Sequence, residues 1–378
     1  MNNIPFNKPY LTGKETHYIY DAVNTGKISG NGKYTQLCQK WFEEHYGFHK
    51  TLLTTSCTDA LEMAAILINI QPGDEVILPS YTFVSTSNAF VLRGAKLVFV
   101  DSRKDHPGID EEAIEALITS KTKAIVPVHY AGVACDMDKI MHLANKYNLF
   151  VVEDAAQSID SFYIGKDGIK RPLGSIGHLA AFSFHETKNI IAGEGGMLAI
   201  NDAQFAERAE IIWEKGTNRS AFFRGDVDKY GWVDVGSSFL PSEIIAAFLW
   251  AQLENINDIQ QKRMTHWNAY YHGLKDWANN QGVQLMQLPQ FATNNAHMFY
   301  LICPSLAYRT KLLAHLKTNG VLAVFHYLSL HTSPYYKNKH DGRILNETDR
   351  YSDCLVRLPM YFDLDSENVI DVLSKTNV

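Results

Sequence analysis

The stretch KAIVPVHYAGVACDMDKIMHLANKYNLFVVEDA, Lys123 to Ala155, decides the fold. Its two ends, KAIVPVH and LFVVEDA, are short apolar runs of the kind that form strands buried on both faces. Between them, DMDKIMHLANKYN reads at helical period. A strand, a helix and a strand in succession imply a parallel crossover. Working outward, DEVILPS (Asp74–Ser80), AKLVFVD (Ala95–Asp101) and HLAAFSF (His178–Phe184) repeat the strand pattern, and GGMLAI adds a strand returning after a glycine cluster. Residues 50–200 therefore predict an α/β unit whose mostly parallel sheet is covered on both faces.

Beyond residue 240 the pattern changes. Glu243 to Trp277 reads as one long helix with a bend. Strands follow near MFYLICP, LAVFHY and CLVRLP, with helices near RTKLLAHLKTNG and Ser366 to Ser374. This is a smaller α+β unit. The expected division is a large domain over 1–250 and a small one over 251–378.

The bulk composition narrows the function. The chain has 378 residues, 46% hydrophobic and 20% charged, with net charge −6. This is the composition of a globular protein with a large core, without the basic stripe of a nucleic-acid binder. No apolar run reaches the ~18 residues of a membrane span, and MNNIPFN is not a signal peptide. Five scattered cysteines without a CxxC pair point to a reduced compartment, and the expected location is the cytoplasm. HETKN lacks the second histidine of HExxH, so that zinc motif fails and no metal is expected. GNGKY and GEGG are not nucleotide fingerprints.

In open α/β sheets ligands bind beyond the carboxyl ends of the strands. Asp154 and Gln157 follow one strand. Ser183, His185 and Lys188 end or follow another, and Phe83 follows a third. Earlier, TTSCTDALEMAAILIN places a Ser/Thr/Asp cluster at a helix start, where free N–H groups suit a phosphate. A phosphate site, an acid, an aromatic ring and a lone lysine together fit pyridoxal phosphate. Each residue also has a plain reading: a solvated turn lysine, a helix-capping Asp, a core Phe.

The ordered set SCTDAL, PSYTFVST, VEDAAQ, FSFHETKN and GEGG resembles the pyridoxal-phosphate-dependent nucleotide-sugar aminotransferases, of the aspartate-aminotransferase fold type I. The resemblance covers nearly the whole chain. It implies that Lys188 forms the Schiff base to pyridoxal 5'-phosphate and that Asp154 pairs with the ring nitrogen. It also implies that Gln157 lies near the ring hydroxyl, Phe83 stacks on the ring, and Ser183, Cys57 and Thr58 hold the phosphate. It further implies a homodimer with shared sites, in which GSSFLPSEIIAA brings Ser238 to the neighbour's phosphate. Many members carry Asn and Arg where this chain has Ser238 and Leu240. Ser238 can still donate to a phosphate, whereas Leu240 cannot replace a guanidinium.

The implied substrates are L-glutamate and a nucleotide-linked keto sugar. PSYTFVSTSNAFVLRGAK, VPVHYAGVACDMD and EKGTNRSAFFRGDVDKY carry a closer likeness to members that aminate carbon 4 of a dTDP-linked sugar. Candidate sugar-nucleotide contacts are His185, Lys215, Asn218, Arg219, Arg224, Lys229, Tyr327 and His331. A related dehydratase would carry a histidine in place of Lys188. A non-catalytic regulatory protein would usually carry an added DNA-binding domain. Neither nucleic acid nor membrane is an expected partner.

Overall fold

The computed structural model describes residues 3–376. Its main sheet contains β1 (Lys50–Thr54), β2 (Glu75–Pro79), β3 (Lys96–Val100), β4 (Thr122–Ile125) and β5 (Phe150–Asp154). A short hairpin of β6 (Phe162–Ile164) and β7 (Lys170–Pro172) precedes the last two strands of that sheet, β8 (Leu179–Ser183) and β9 (Gly196–Ile200). The order across the sheet is β1-β9-β8-β5-β4-β2-β3. The pairs from β3 across to β8 are parallel. β9 runs antiparallel to both β8 and β1. The expected α/β class is the observed one, and GGMLAI is the returning strand.

The local reasons are visible in the opening stretch. Asp136 caps the Met137–Tyr147 helix, its side chain accepting from the Lys139 N–H, and Asn148 ends it in the left-handed conformation. That helix buries Met137, Ile140, Leu143 and Ala144 against the sheet. The opposite face of the sheet is covered in part by the Cys57–Leu67 helix, which packs with β8 and β9. Both faces are thus dry, which is why the middle residues of the strands are mostly apolar.

A second, antiparallel sheet contains β10 (Gln284–Leu285), β11 (Phe299–Ile302) and β12 (Leu355–Leu358). The long helical reading divides into three helices, Glu243–Leu253, Ile256–Gly273 and Lys275–Gln281. One expectation is corrected and one strand was not foreseen. LAVFHY forms no strand; Val324 makes an isolated bridge to Arg357, and the Leu322 N–H donates to the Ile4 carbonyl. The edge strand β1 went unread, because KTLLT is too short to show a period. The cores also interleave along the chain. Ile4 packs with the small sheet, while Leu330, Tyr336 and Leu345 pack with the large one. No helix among the described residues is long and apolar enough to cross a membrane.

Candidate active site

A cavity of about 470 Å³ opens beyond the carboxyl ends of β5 and β8. Its position follows from the sheet order. Gly196 of β9 lies between Thr54 of β1 and Ser183 of β8. The residues after β1 and those ending β8 therefore converge. A Cβ at Gly196 would overlap the backbone of Ser56 and Cys57. Glycine lets the start of the Cys57–Leu67 helix sit directly on the strand. Ser56 caps this helix, its Oγ accepting from the Asp59 N–H at 3.1 Å. Thr58 Oγ1 donates to Ser85 Oγ at 2.8 Å. With Ser183 these residues place several hydroxyls and a helix amino end on one wall, a ready anion site.

The sequence VVED offers two adjacent acids, and the pleat sends them to opposite faces. Glu153 is buried and consumed by structure: it lies 2.8 Å from His129 Nε2 and accepts the N–H groups of Gly174, Ile176 and Gly177. Asp154 faces the cavity. Its Oδ2 accepts from Thr86 Oγ1 at 2.6 Å, and its Oδ1 from the Ala156 N–H at 3.1 Å. Thr86 in turn lies 2.9 Å from Thr82 Oγ1, and both threonines are buried. Gln157 is held at both ends of its amide. Oε1 accepts from the Ala131 N–H at 2.6 Å, and Nε2 donates to the Tyr327 hydroxyl at 3.3 Å.

Lys188 lines the same cavity. Burial pulls its ammonium down to about 8, the Arg357 guanidinium adding to the effect, against the opposing pull of Cys57 and Asp154. Asn189, the next residue, is anchored by Gln260 Oε1, the Asn295 carbonyl and His297 Nδ1, each within 2.9 Å. The lysine thus leaves a fixed backbone. Phe83 is not a core residue: it stands 55% exposed at the cavity wall, 5.8 Å from the Tyr327 ring. His185 lines the cavity too, with Nδ1 2.9 Å from Thr187 Oγ1.

The residues present fit pyridoxal phosphate. They supply a phosphate wall built on a helix end, an acid fixed by a buried hydroxyl, an exposed aromatic and an amine whose pKa is lowered. That donor set matches the phosphate, the ring nitrogen, the ring face and the aldehyde of the cofactor.

Most of the remaining candidates lie elsewhere in the chain. Lys215, Arg219, Arg224 and Ser238 line a larger cavity of about 1090 Å³, with Lys27, Lys50 and Glu210. Arg224 is paired with Glu210 and Asp226, and Asn218 Oδ1 accepts from the Gly231 N–H at 2.8 Å. Lys229 is exposed. One chain does not bring these residues to Lys188. Tyr327 does line the Lys188 cavity. His331 does not. It is buried, 2.9 Å from Ser80 Oγ and 3.6 Å from Asp349. Sequence reasoning missed Ser85, Thr86, His326 and Arg357, all of which line the cavity. Arg357 had a signal: it is the charge inside the apolar run CLVRLP.

The model of the DegT/DnrJ/EryC1/StrS aminotransferase family matches residues 9–377. The chain belongs to this family. It is a sugar aminotransferase that uses pyridoxal phosphate. An uncharacterized protein of Methanocaldococcus jannaschii, MJ1066, is 32% identical over 379 residues, covering 98% of this chain and 95% of that one. Among solved structures, the aminotransferase TlmJ of Streptoalloteichus hindustanus superposes with TM-score 0.88 at 26% identity, over 98% of both chains. DesV of S. venezuelae superposes with TM-score 0.89 at 27% identity, over all of both chains.

Proposed function

We propose that this aminotransferase moves the amino group of L-glutamate to carbon 4 of dTDP-4-keto-6-deoxy-D-glucose, giving dTDP-4-amino-4,6-dideoxy-D-galactose. The transfer chemistry rests on one observation, Lys188 and Asp154 facing a single cavity beside a phosphate wall. The choice of sugar rests on the sequence stretches PSYTFVSTSNAFVLRGAK, VPVHYAGVACDMD and EKGTNRSAFFRGDVDKY.

Bound in the cavity, pyridoxal phosphate supplies a cationic ring that accepts the electron pair left when a carbon beside the reacting nitrogen loses its proton. Ser56, Thr58, Ser183 and the helix amino end hold the phosphate. Asp154 keeps the ring nitrogen protonated, with Thr86 fixing its carboxylate. Phe83 covers one ring face, and Gln157 reaches the ring hydroxyl. Lys188 Nζ takes the proton from the α-carbon of the donor. In the second half it gives a proton to carbon 4 of the sugar, from one side only, which sets the new stereocentre. An amine whose pKa is lowered to about 8 suits both directions.

The working unit in this reading is a homodimer. The face carrying Lys215, Arg219 and Ser238 meets the partner's Lys188 cavity, where Ser238 donates to the phosphate and the cations receive the diphosphate of the sugar nucleotide. The product would serve a surface polysaccharide, an O-antigen or the enterobacterial common antigen.

The test is the proton NMR spectrum of the product made from dTDP-4-keto-6-deoxyglucose, glutamate and pyridoxal phosphate. A small coupling between the protons on carbons 3 and 4 is expected, because the amine is axial. A large coupling would assign the gluco epimer, and amination at carbon 3 would assign a 3-amino sugar. Either keeps the enzyme class and removes the named product.

A further inference from the structure

The segment Asn294–Met298 leads into β11 and lines no part of the Lys188 cavity. Yet two of its polar side chains, Asn295 and His297, are buried against loops that do. Asn295 Nδ2 donates to the carbonyls of Gln157 and Ile159, both at 2.8 Å, in the turn that follows β5. The Asn295 carbonyl accepts from Asn189 Nδ2 at 2.8 Å, in the loop that follows β8. One residue thus touches both the neighbour of Lys188 and the backbone of Gln157. A Cβ at Gly132 would overlap the Asn295 amide, so a glycine there makes its place.

His297 completes the link. Asn189 spends both protons of its amide on Gln260 Oε1 and the Asn295 carbonyl. Its Oδ1 can then only accept. Turned over, the amide would set one oxygen against two. The His297 Nδ1 that faces this Oδ1 at 2.9 Å is therefore the ring nitrogen that carries the proton. Burial, with Lys188, Arg357 and Arg263 nearby, holds the pKa of the ring well below its usual value, so the ring stays neutral. The segment is itself anchored. Arg263 donates to the Ala296 and His297 carbonyls at 3.1 and 2.7 Å, and the His297 N–H donates to Asn295 Oδ1 at 3.0 Å. Ala296 is held in the left-handed region, with φ 51° and its N–H on Asn294 Oδ1. A residue other than glycine persists there only where its surroundings fix it.

We propose that Asn295 and His297 are positioning residues, which hold the Lys188 loop and the Gln157 turn in one register. Through Asn189, His297 sets the direction in which Lys188 leaves its loop. Asn295 ties that loop to the Gln157 turn. The proposal rests on the reading of Lys188 as the amine that takes the cofactor aldehyde. A reacting group misplaced by about 1 Å can lose about 100-fold in rate, while the walls of the site still bind. The defect expected on cutting the link at His297 is thus in reaction and not in binding.

Two ligands separate these in the apoprotein. Pyridoxal phosphate reports imine formation by stopped-flow absorbance. Pyridoxamine phosphate has no aldehyde, and calorimetry with it reports binding alone. In His297→Leu the imine should form about 30-fold more slowly, with pyridoxamine phosphate affinity within about threefold of wild type. His297→Asn, whose Nδ2 can stand in for the Nδ1 donor, should recover most of the rate. Asn295→Ala also releases the Gln157 turn, and should in addition weaken pyridoxamine phosphate binding about tenfold. If Asn295→Ala does not fold, the two His297 variants decide. Imine formation in His297→Leu within about threefold of wild type, or an equal loss of rate and affinity, overturns the proposal. Lys188→Met is the control. An imine that still forms there removes the reading of Lys188 and the proposal with it. Its loss there, with His297→Leu at the wild-type rate, removes the positioning role alone.

Discussion

Lys188 shows how a residue's surroundings, rather than its type, make it reactive. An amine titrating near 8 is about half unprotonated at that pH, whereas an ordinary lysine at ~10.4 is well under about 1% unprotonated. The direction is that of a base whose charged form is disfavoured: lowering its pKa moves the reactive form toward neutral pH. Rebuilding the holoenzyme from apoprotein and pyridoxal phosphate should therefore accelerate with a midpoint near pH 8, followed by growth of the imine absorbance. Lys188→Met should abolish this absorbance and lower turnover by at least about a thousandfold. Thr86 supports Asp154 more quietly. Thr86→Val keeps the shape and removes a hydrogen bond to a buried carboxylate, worth about 1.5–3 kcal/mol. Turnover should fall about 10- to 100-fold, and Thr86→Ser should restore most of it. The acids of VVED were legible because strand pleating sends neighbours to opposite faces. Thr86 was not, because its role depends on a contact 68 residues distant in sequence.

At the scale of elements, the meeting of β9 with the start of the Cys57–Leu67 helix carries the phosphate wall. Gly196→Val would force that helix end away from Ser183, since its Cβ has no free space. The dissociation constant for pyridoxal phosphate should rise at least about tenfold, measured by equilibrium dialysis, with Gly196→Ala intermediate. Circular dichroism would confirm that the sheet survives. The parallel strands and the crossover helix could be read because burial on both faces leaves an apolar run that no turn interrupts. LAVFHY misled for the same reason. Its apolar residues suit a strand, but its backbone pairs only at Leu322, with Ile4, and at Val324, with Arg357, and the segment instead carries His326 and Tyr327 to the cavity. The Tyr81 and Tyr130 hydroxyls both donate to the His326 carbonyl. These long-range clamps leave no periodic trace in the sequence.

At the scale of the whole molecule, the proposed shared site makes a prediction that no single chain can satisfy. Ser238→Asp should repel a phosphate and inactivate the homodimer, and Lys188→Ala should inactivate it by another route. Mixing the two variants through a dissociation and reassociation step should restore activity toward about a quarter of wild type, because half of the dimers are hybrids and each hybrid has one intact site. No recovery after demonstrated hybrid formation would count against sharing. The second, antiparallel sheet was readable from the change of pattern near residue 240. The exchange of Ile4 and Leu330 between the two cores was not, because a lone apolar residue in an irregular segment does not reveal which core it joins. That exchange has a practical side. The Ile4 N–H donates to the Gly320 carbonyl at 2.8 Å, the Leu322 N–H donates to the Ile4 carbonyl at 3.0 Å, and Phe6 lines the cavity. The segment around Ile4 must wait for the segment around Gly320 before it can dock. Loosening the segment around Ile4 would therefore reach Phe6 at the cavity wall as well as the small sheet.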